Sequence, residues 1–207
     1  MGMIQQKKTV YIAIVSAGII LVLLTFRNQK VPYVPPDHNV VKSNNNPSSQ
    51  RSEQGNIGKI LIDFPGGWAR ETPSSSMRIA QFRIPNENGS EGELAVFSKI
   101  GGSIEQNLSR WAEQFKQPDN SDSKEKALTD TQIISGMPVT FMYLTGTFLS
   151  GGMMGSPLIE KPNYALHAAI VEIPDDVYYF KMTGPESTVM KWKKIFREKM
   201  LQLKYAG

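Results

Sequence analysis

The chain is predicted to fold as an α+β domain, a mainly antiparallel sheet with helices packed on its faces, preceded by one N-terminal transmembrane helix. Three observations predict it. Strand-length runs with apolar and polar residues in alternation are joined by reversal signals. Two amphipathic helical segments stand apart, without the regular strand-helix alternation or glycine fingerprint of a doubly wound nucleotide fold. An uncharged apolar run lies ahead of all of them.

That run, Thr9 to Phe26, reads TVYIAIVSAGIILVLLTF. As a helix rising about 1.5 Å per residue it spans roughly 27 Å, close to the hydrocarbon thickness of a bilayer. Phe26, Arg27, Asn28, Gln29 and Lys30 follow it in place of the small residues of a cleavage site, so an uncleaved signal-anchor is expected. Residues 1–8, with Lys7 and Lys8, form a short basic tail expected in the cytoplasm. The C-terminal part is then extracytoplasmic, in a single-pass arrangement in the cell membrane, although Arg27 and Lys30 nearly balance the basic count.

Residues 31–56 begin with VPYVPP and continue as an Asn/Ser/Gln tract with few large apolar residues. Such a segment buries too little to offset its own ordering entropy and is expected to be a disordered tether. His38 lies in it as a solvated side chain, with no second ligand nearby. The basic balance of the chain is also local. Residues 1–55 carry a net charge of +4, leaving 17 basic and 17 acidic residues from Asn56 onward. The domain at 57–207 is therefore neutral, and nucleic acid is not an expected partner. With no cysteine, disulfides, thiolate nucleophiles, zinc-thiolate sites and a lipoprotein anchor are all excluded.

Within the domain, KILIDF is a short apolar strand ended by Pro65, Gly66 and Gly67. MRIAQFRIP sets Ala80, Phe82 and Ile84 on one face and Gln81 and Arg83 on the other. Asn88-Gly89 then reverses the chain into ELAVFSKI, which completes a hairpin. SIEQNLSRWAEQFK carries a capping-box pattern at Ser103 and Gln106, with Ile104, Leu108, Trp111 and Phe115 at helical spacing. QPDNSDSKEKAL reads as a charged loop. TQIISGMPVTFMYLTGTFL reads as two strands around Gly136, and YALHAAIVEI and VYYFKMTG as two more around Pro174, Asp175 and Asp176. Pro185 opens a terminal helix with Glu186 at its positive end and Val189, Trp192, Phe196 and Leu203 on its buried face. Between the second and third of these four strands, FLSGGMMGSPLIEKPN is expected to form an exposed loop, with Pro157 and Pro162 keeping it out of the sheet.

The succession of FPGGW, a hairpin, a SIEQNLSRWAEQF helix, the YALHAAIVEIPDDVYYFKMTG hairpin and a WKKIFREKMLQL helix resembles the PsbP-type α/β/α fold. The resemblance covers about residues 59–204 in order and pattern. It carries no catalytic motif and so implies a fold and not an activity. The chain is also similar to small anchored bacterial envelope proteins of unassigned function.

No catalytic, cofactor or metal site is expected. His167 shares a strand face with Ala165, Ala169 and Val171, the position of a packed histidine and not of a general base. Ser121 and Lys124 match S-x-x-K, but among Asp119, Asp122 and Glu125 the lysine is solvated. Asp175 and Asp176 are turn chemistry and not a calcium loop. Met153 and Met154 lack the spacing of a copper cage; as adaptable apolar side chains they are expected to contact a partner. Lys191, Lys193, Lys194, Arg197 and Lys199 form the solvated face of the last helix.

These readings add up to a membrane-tethered, extracytoplasmic, noncatalytic binding module with an envelope protein as its expected partner. The alternative is an envelope hydrolase using scattered carboxylates or His167. A concave pocket gathering two or more carboxylates or His167 would favour the hydrolase. A flat exposed apolar patch at Met153 and Met154 would favour the binding module.

Overall fold

The computed structural model describes residues 53–87, 89–151 and 157–207. The expected span at 9–26, the tether up to Ser52 with His38, and Met153 and Met154 lie outside the described residues. Among the described residues no helix is long and apolar enough to cross a membrane.

The domain opens with β1 (Glu53–Ile57), antiparallel to β2 (Ile60–Phe64). Glu53–Asn56 therefore belongs to a strand, where composition predicts tether. Backbone pairing carries it, Gln54 opposite Asp63 and Asn56 opposite Leu61, and Ile57 is the one large apolar side chain it buries. A two-residue strand, β11 (Lys204–Tyr205), adds to the other edge of β2 and completes a three-stranded sheet.

The main sheet has eight strands, all paired antiparallel. They are β3 (Ala69–Glu71), β4 (Arg78–Ile84), β5 (Gly92–Ser98), β6 (Phe115–Lys116), β7 (Leu128–Ile134), β8 (Met137–Gly151), β9 (Leu158–Ile173) and β10 (Asp176–Pro185). Their spatial order is β3-β4-β5-β10-β9-β8-β6, with β7 beside the first half of β8. Ser135 and Gly136, both at positive φ, make the β7–β8 turn, and Pro174-Asp175 makes the β9–β10 turn.

The ladder between β8 and β9 runs further than the sequence implies. Phe148 pairs with Lys161 and Gly151 with Leu158, so much of the expected loop is sheet. Pro162 is accommodated by a register shift between Gly146 and Phe148, an irregularity that relieves a proline of its missing ladder donor. Gly146 makes the bend possible at φ 152, where a Cβ would come within 2.9 Å of the Lys116 carbonyl.

Among the described residues three helices accompany the strands. In α1 (Ile104–Ala112) both halves of the capping box form between Ser103 and Gln106. The helix ends before Phe115, which passes into β6 opposite Phe148. A single turn, α2 (Ser123–Lys126), stands inside the segment read as a charged loop; Asp122 caps it by accepting from the Lys124 N–H at 2.8 Å. The long terminal helix is α3 (Glu186–Leu201), and Leu203 is buried just past its end.

The sheet separates two cores. On one face, Val189, Trp192, Phe196 and Met200 of α3 pack with Phe82, Phe141 and Phe180, and β1 and β2 close the same core. The Trp192 indole N–H donates to the Pro85 carbonyl at 2.8 Å, which fixes the helix against the end of β4. On the other face, Trp111 and Ala112 of α1 pack on Met142, Leu144, Leu166, Ile170 and Tyr179. Helix α3 has 16 residues and α1 only 9. At about 1.5 Å per residue, α1 is roughly 13 Å long and covers only part of its face.

Candidate functional site

The uncovered part of that second face is a groove of about 810 Å³, walled by α1, by the extended end of the β8–β9 hairpin and by the outer strands β4 and β5. Lys181 lies on its floor. Along β10, Tyr178, Phe180 and Met182 point to the α3 core, so Tyr179, Lys181 and Thr183 face the other way. The residues opposite Lys181 on the neighbouring strands are Ala95, which lines the groove, and Ala168, which is buried in the core under α1.

Aromatic rings surround this amine. The Lys181 Nζ lies 5.5 Å from the Trp111 ring centroid and 5.7 Å from that of Phe148, and it donates a short hydrogen bond to Gln114 Oε1. Phe148 stacks nearly flat on Tyr164, at 6.0 Å and 8°, forming a planar wall on the hairpin side. Burial pushes the Lys181 amine down to about 8 and Arg78 adds to the shift, while Glu93 works against it.

The charges in the groove do not balance. Five basic and three acidic side chains line it. Arg78 is held by Glu93 at 2.7 Å, and Arg83 lies between Glu71 at 3.2 Å and Glu91 at 2.6 Å. Arg110 donates to Asn107 Oδ1 and to the Gly101 carbonyl, and Lys161 lies over the Tyr164 ring at 5.6 Å. Among the described residues, neither of these nor Lys181 has a carboxylate within ion-pair distance.

His167 is on the opposite side of the sheet. It is 2% exposed, with the rings of Phe196, Tyr143 and Phe141 at 5.0, 5.9 and 6.4 Å. Its Nδ1 is buried without a hydrogen-bond partner among the described residues. Burial, helped by Lys193 and Arg197 and opposed by Asp130, pushes it down to about 4. It is a neutral core side chain at ordinary pH.

The other residues singled out in the sequence are dispersed. Lys124 pairs with Glu113 at 2.7 Å, and Ser121 donates to Asp119, which leaves the S-x-x-K match without a pocket. Asp175 pairs with Lys59, and Asp176 accepts from the Val177 N–H. Met137, Met142 and Met182 are buried in the cores. On α3, Lys191, Lys194 and Arg197 reach Glu87, Glu198 and Asp130, and Lys193 lies over the Tyr143 ring. The pocket is concave and does carry carboxylates, but all three are engaged by arginines and His167 is not among its residues.

No family model matches the chain, and no curated protein matches it in sequence. Its structure is similar to the solution structure of cyanobacterial PsbP (CyanoP) from Synechocystis sp. PCC 6803. The identity is 11% and the TM-score 0.48, over 75% of this chain and 91% of that one. The PsbP-like resemblance is one of fold.

Lys181, Arg110 and Lys161 are the residues that sequence reasoning passes over. One signal was available: in VYYFKMTG, strand alternation places Lys181 on the same face as Tyr179, a charge in the middle of a central strand.

Proposed function

We propose that the chain is a membrane-tethered, extracytoplasmic, noncatalytic module that binds an envelope component on the groove side of its sheet. The observation that carries this reading is the groove itself: a concave surface of about 810 Å³ with a desolvated lysine on its floor and aromatic walls. Concave, mainly apolar surfaces with a few placed polar groups are where ligands bind. Binding is read in preference to catalysis because Glu71, Glu91 and Glu93 are each ion-paired with an arginine and His167 lies on the other side of the sheet. The membrane tether is supported by the uncharged run from Thr9 to Phe26.

Met153 and Met154 belong to this reading as a partner contact. They follow Gly151, which lines the groove, and precede Leu158 and Ile159, which are 56% and 52% exposed. Apolar side chains exposed beside a binding surface suit contact with a protein.

Hydrogen exchange on the full chain in membranes, with and without an extract of its own envelope, tests the binding surface. Exchange should slow in α1 and in residues 147–151 and 158–161. Unchanged exchange there, or slowing confined to α3, overturns the assignment. For the tether, protease added to cells with an opened outer layer should cut between Val31 and Ser52. Cleavage seen only after the inner membrane is breached reverses the topology.

A further inference from the structure

We propose that the ligand of the groove is a planar organic anion, an aromatic carboxylate in chemical class, with its charge on Lys181 and its ring against the Trp111, Phe148 and Tyr164 wall. This rests on the reading of the groove as the binding surface and adds the chemistry of what enters it.

Charge comes first. Arg78 and Arg83 are satisfied by glutamates, whereas Lys181, Lys161 and Arg110 have no carboxylate partner among the described residues. The Gln114 carbonyl offers Lys181 only a dipole. A desolvated ammonium without a counter-charge is costly, and a bound carboxylate would supply both the charge and a charge-assisted hydrogen bond. A neutral ligand leaves that cost in place, and a cationic one adds to it.

Shape gives the rest. Phe148 and Tyr164 stack within 8° of parallel, and the Trp111 and Phe148 rings lie 5.5 and 5.7 Å from the Lys181 Nζ. Flat apolar walls favour a flat apolar body. Ala95, opposite Lys181 on β5, is the small residue of the groove beside Nζ and leaves room for the anionic end. The volume falls in the range of small-molecule sites, about 300–1,000 Å³, and not of an extended peptide groove or a nucleic-acid surface.

Arg78 from β4 and Glu93 from β5 act on the Lys181 charge, and Arg83, Glu71, Glu91, Lys161 and Arg110 line the same groove. With the amine pushed down to about 8, it loses its proton within an accessible range while an aromatic carboxylate stays ionised.

Three probes of one shape separate the possibilities: 1-naphthoate, 1-naphthalenemethanol and 1-naphthylmethylamine. They are titrated calorimetrically into the full chain in phosphatidylcholine nanodiscs, with empty nanodiscs subtracted. The naphthoate should bind about tenfold or more tighter than the alcohol, and the amine weakest. Lys181→Met should bring the naphthoate down to the level of the alcohol. On the wild-type chain, naphthoate affinity should fall as pH rises through about 8, a readout that needs no variant. Equal or tighter binding of the alcohol or amine overturns the anion assignment and leaves the groove reading standing. Naphthoate binding that survives Lys181→Met, or the lack of saturable naphthoate binding up to millimolar concentration, also overturns it. The exchange experiment on the envelope extract judges the groove separately.

Discussion

His167 and Lys181 sit one rung apart on paired strands and face opposite sides of the same sheet. His167 is opposite Met182, and Lys181 is opposite Ala168. Burial depresses both bases, to about 4 and about 8. The histidine is closed over by α3 and three aromatic rings, while the lysine lies at the bottom of a groove that α1 does not cover. A perturbed basic group is therefore not by itself a mark of a site. The length of the helix above it decides whether it becomes core or binding surface.

The largest test of this asymmetry is mechanical. Phe196 is 1% exposed in the sealed core, and its replacement by alanine should cost about 3–5 kcal/mol, the usual cost of deleting a buried phenyl ring. Phe148 stands half-buried on the groove wall, and Phe148→Ala should cost about 1–2 kcal/mol. Urea unfolding of the full chain, followed by near-ultraviolet circular dichroism, compares the two. Equal losses would mean that the groove wall is packed as tightly as the core.

Acid and base should then separate the two faces. Unfolded His167 takes up a proton below about 6.5, whereas in the fold it stays neutral down to about 4. Protons thus favour unfolding in this window, and stability should fall by about 3 kcal/mol as pH drops across it. His167→Phe, which suits the aromatic surroundings and removes the unpartnered nitrogen, should make that limb shallower, leaving the part carried by carboxylates such as Asp119 and Asp130, which hydrogen bonds and ion pairs hold below their ordinary range. For Lys181 the window is alkaline. From about 8 to 10.5 the unfolded lysine holds its proton and the folded one has released it, so stability rises with pH by about 3 kcal/mol. Lys181→Met should remove the rise and be the more stable protein at neutral pH. Thermal melts across pH read both, and an acid limb in His167→Phe as steep as that of the wild-type chain, or an unchanged alkaline limb in Lys181→Met, contradicts the assignment.

What the sequence discloses follows from which contacts are local. The β4–β5, β7–β8 and β9–β10 hairpins and both long helices are written in periodicity, caps and turns, since each depends on neighbours in the chain. The β1 strand is not, because Glu53–Asn56 is held by backbone pairing with β2 more than by burial of apolar side chains. The β8–β9 extension is hidden by Pro162, which the register shift past Gly146 renders harmless. Alternation reveals the direction in which Lys181 points. The space above it depends on Ala95 from a neighbouring strand, and on α1 ending at Ala112 before the sheet is covered. Those are long-range facts, and no window of the sequence contains them.

The smallest effect is expected at the end of the groove wall. Met153 and Met154 follow Gly151 in the chain, and the residues that resume the ladder, Leu158 and Ile159, are more than half exposed. Methionines in such a stretch can serve a partner, or they can fill a gap in the domain's own packing; the two roles differ in what their loss changes. Replacing both with serine should leave unfolding stability within about 0.5 kcal/mol of the wild-type chain, as surface changes do. The exchange protection of residues 147–151 and 158–161 by envelope extract should weaken at the same time. A loss of several kcal/mol would place those side chains in a core, by the cost that attends buried apolar groups. The groove would then end at Gly151, and the partner contact would have to be sought on α1 or on Phe148 and Tyr164.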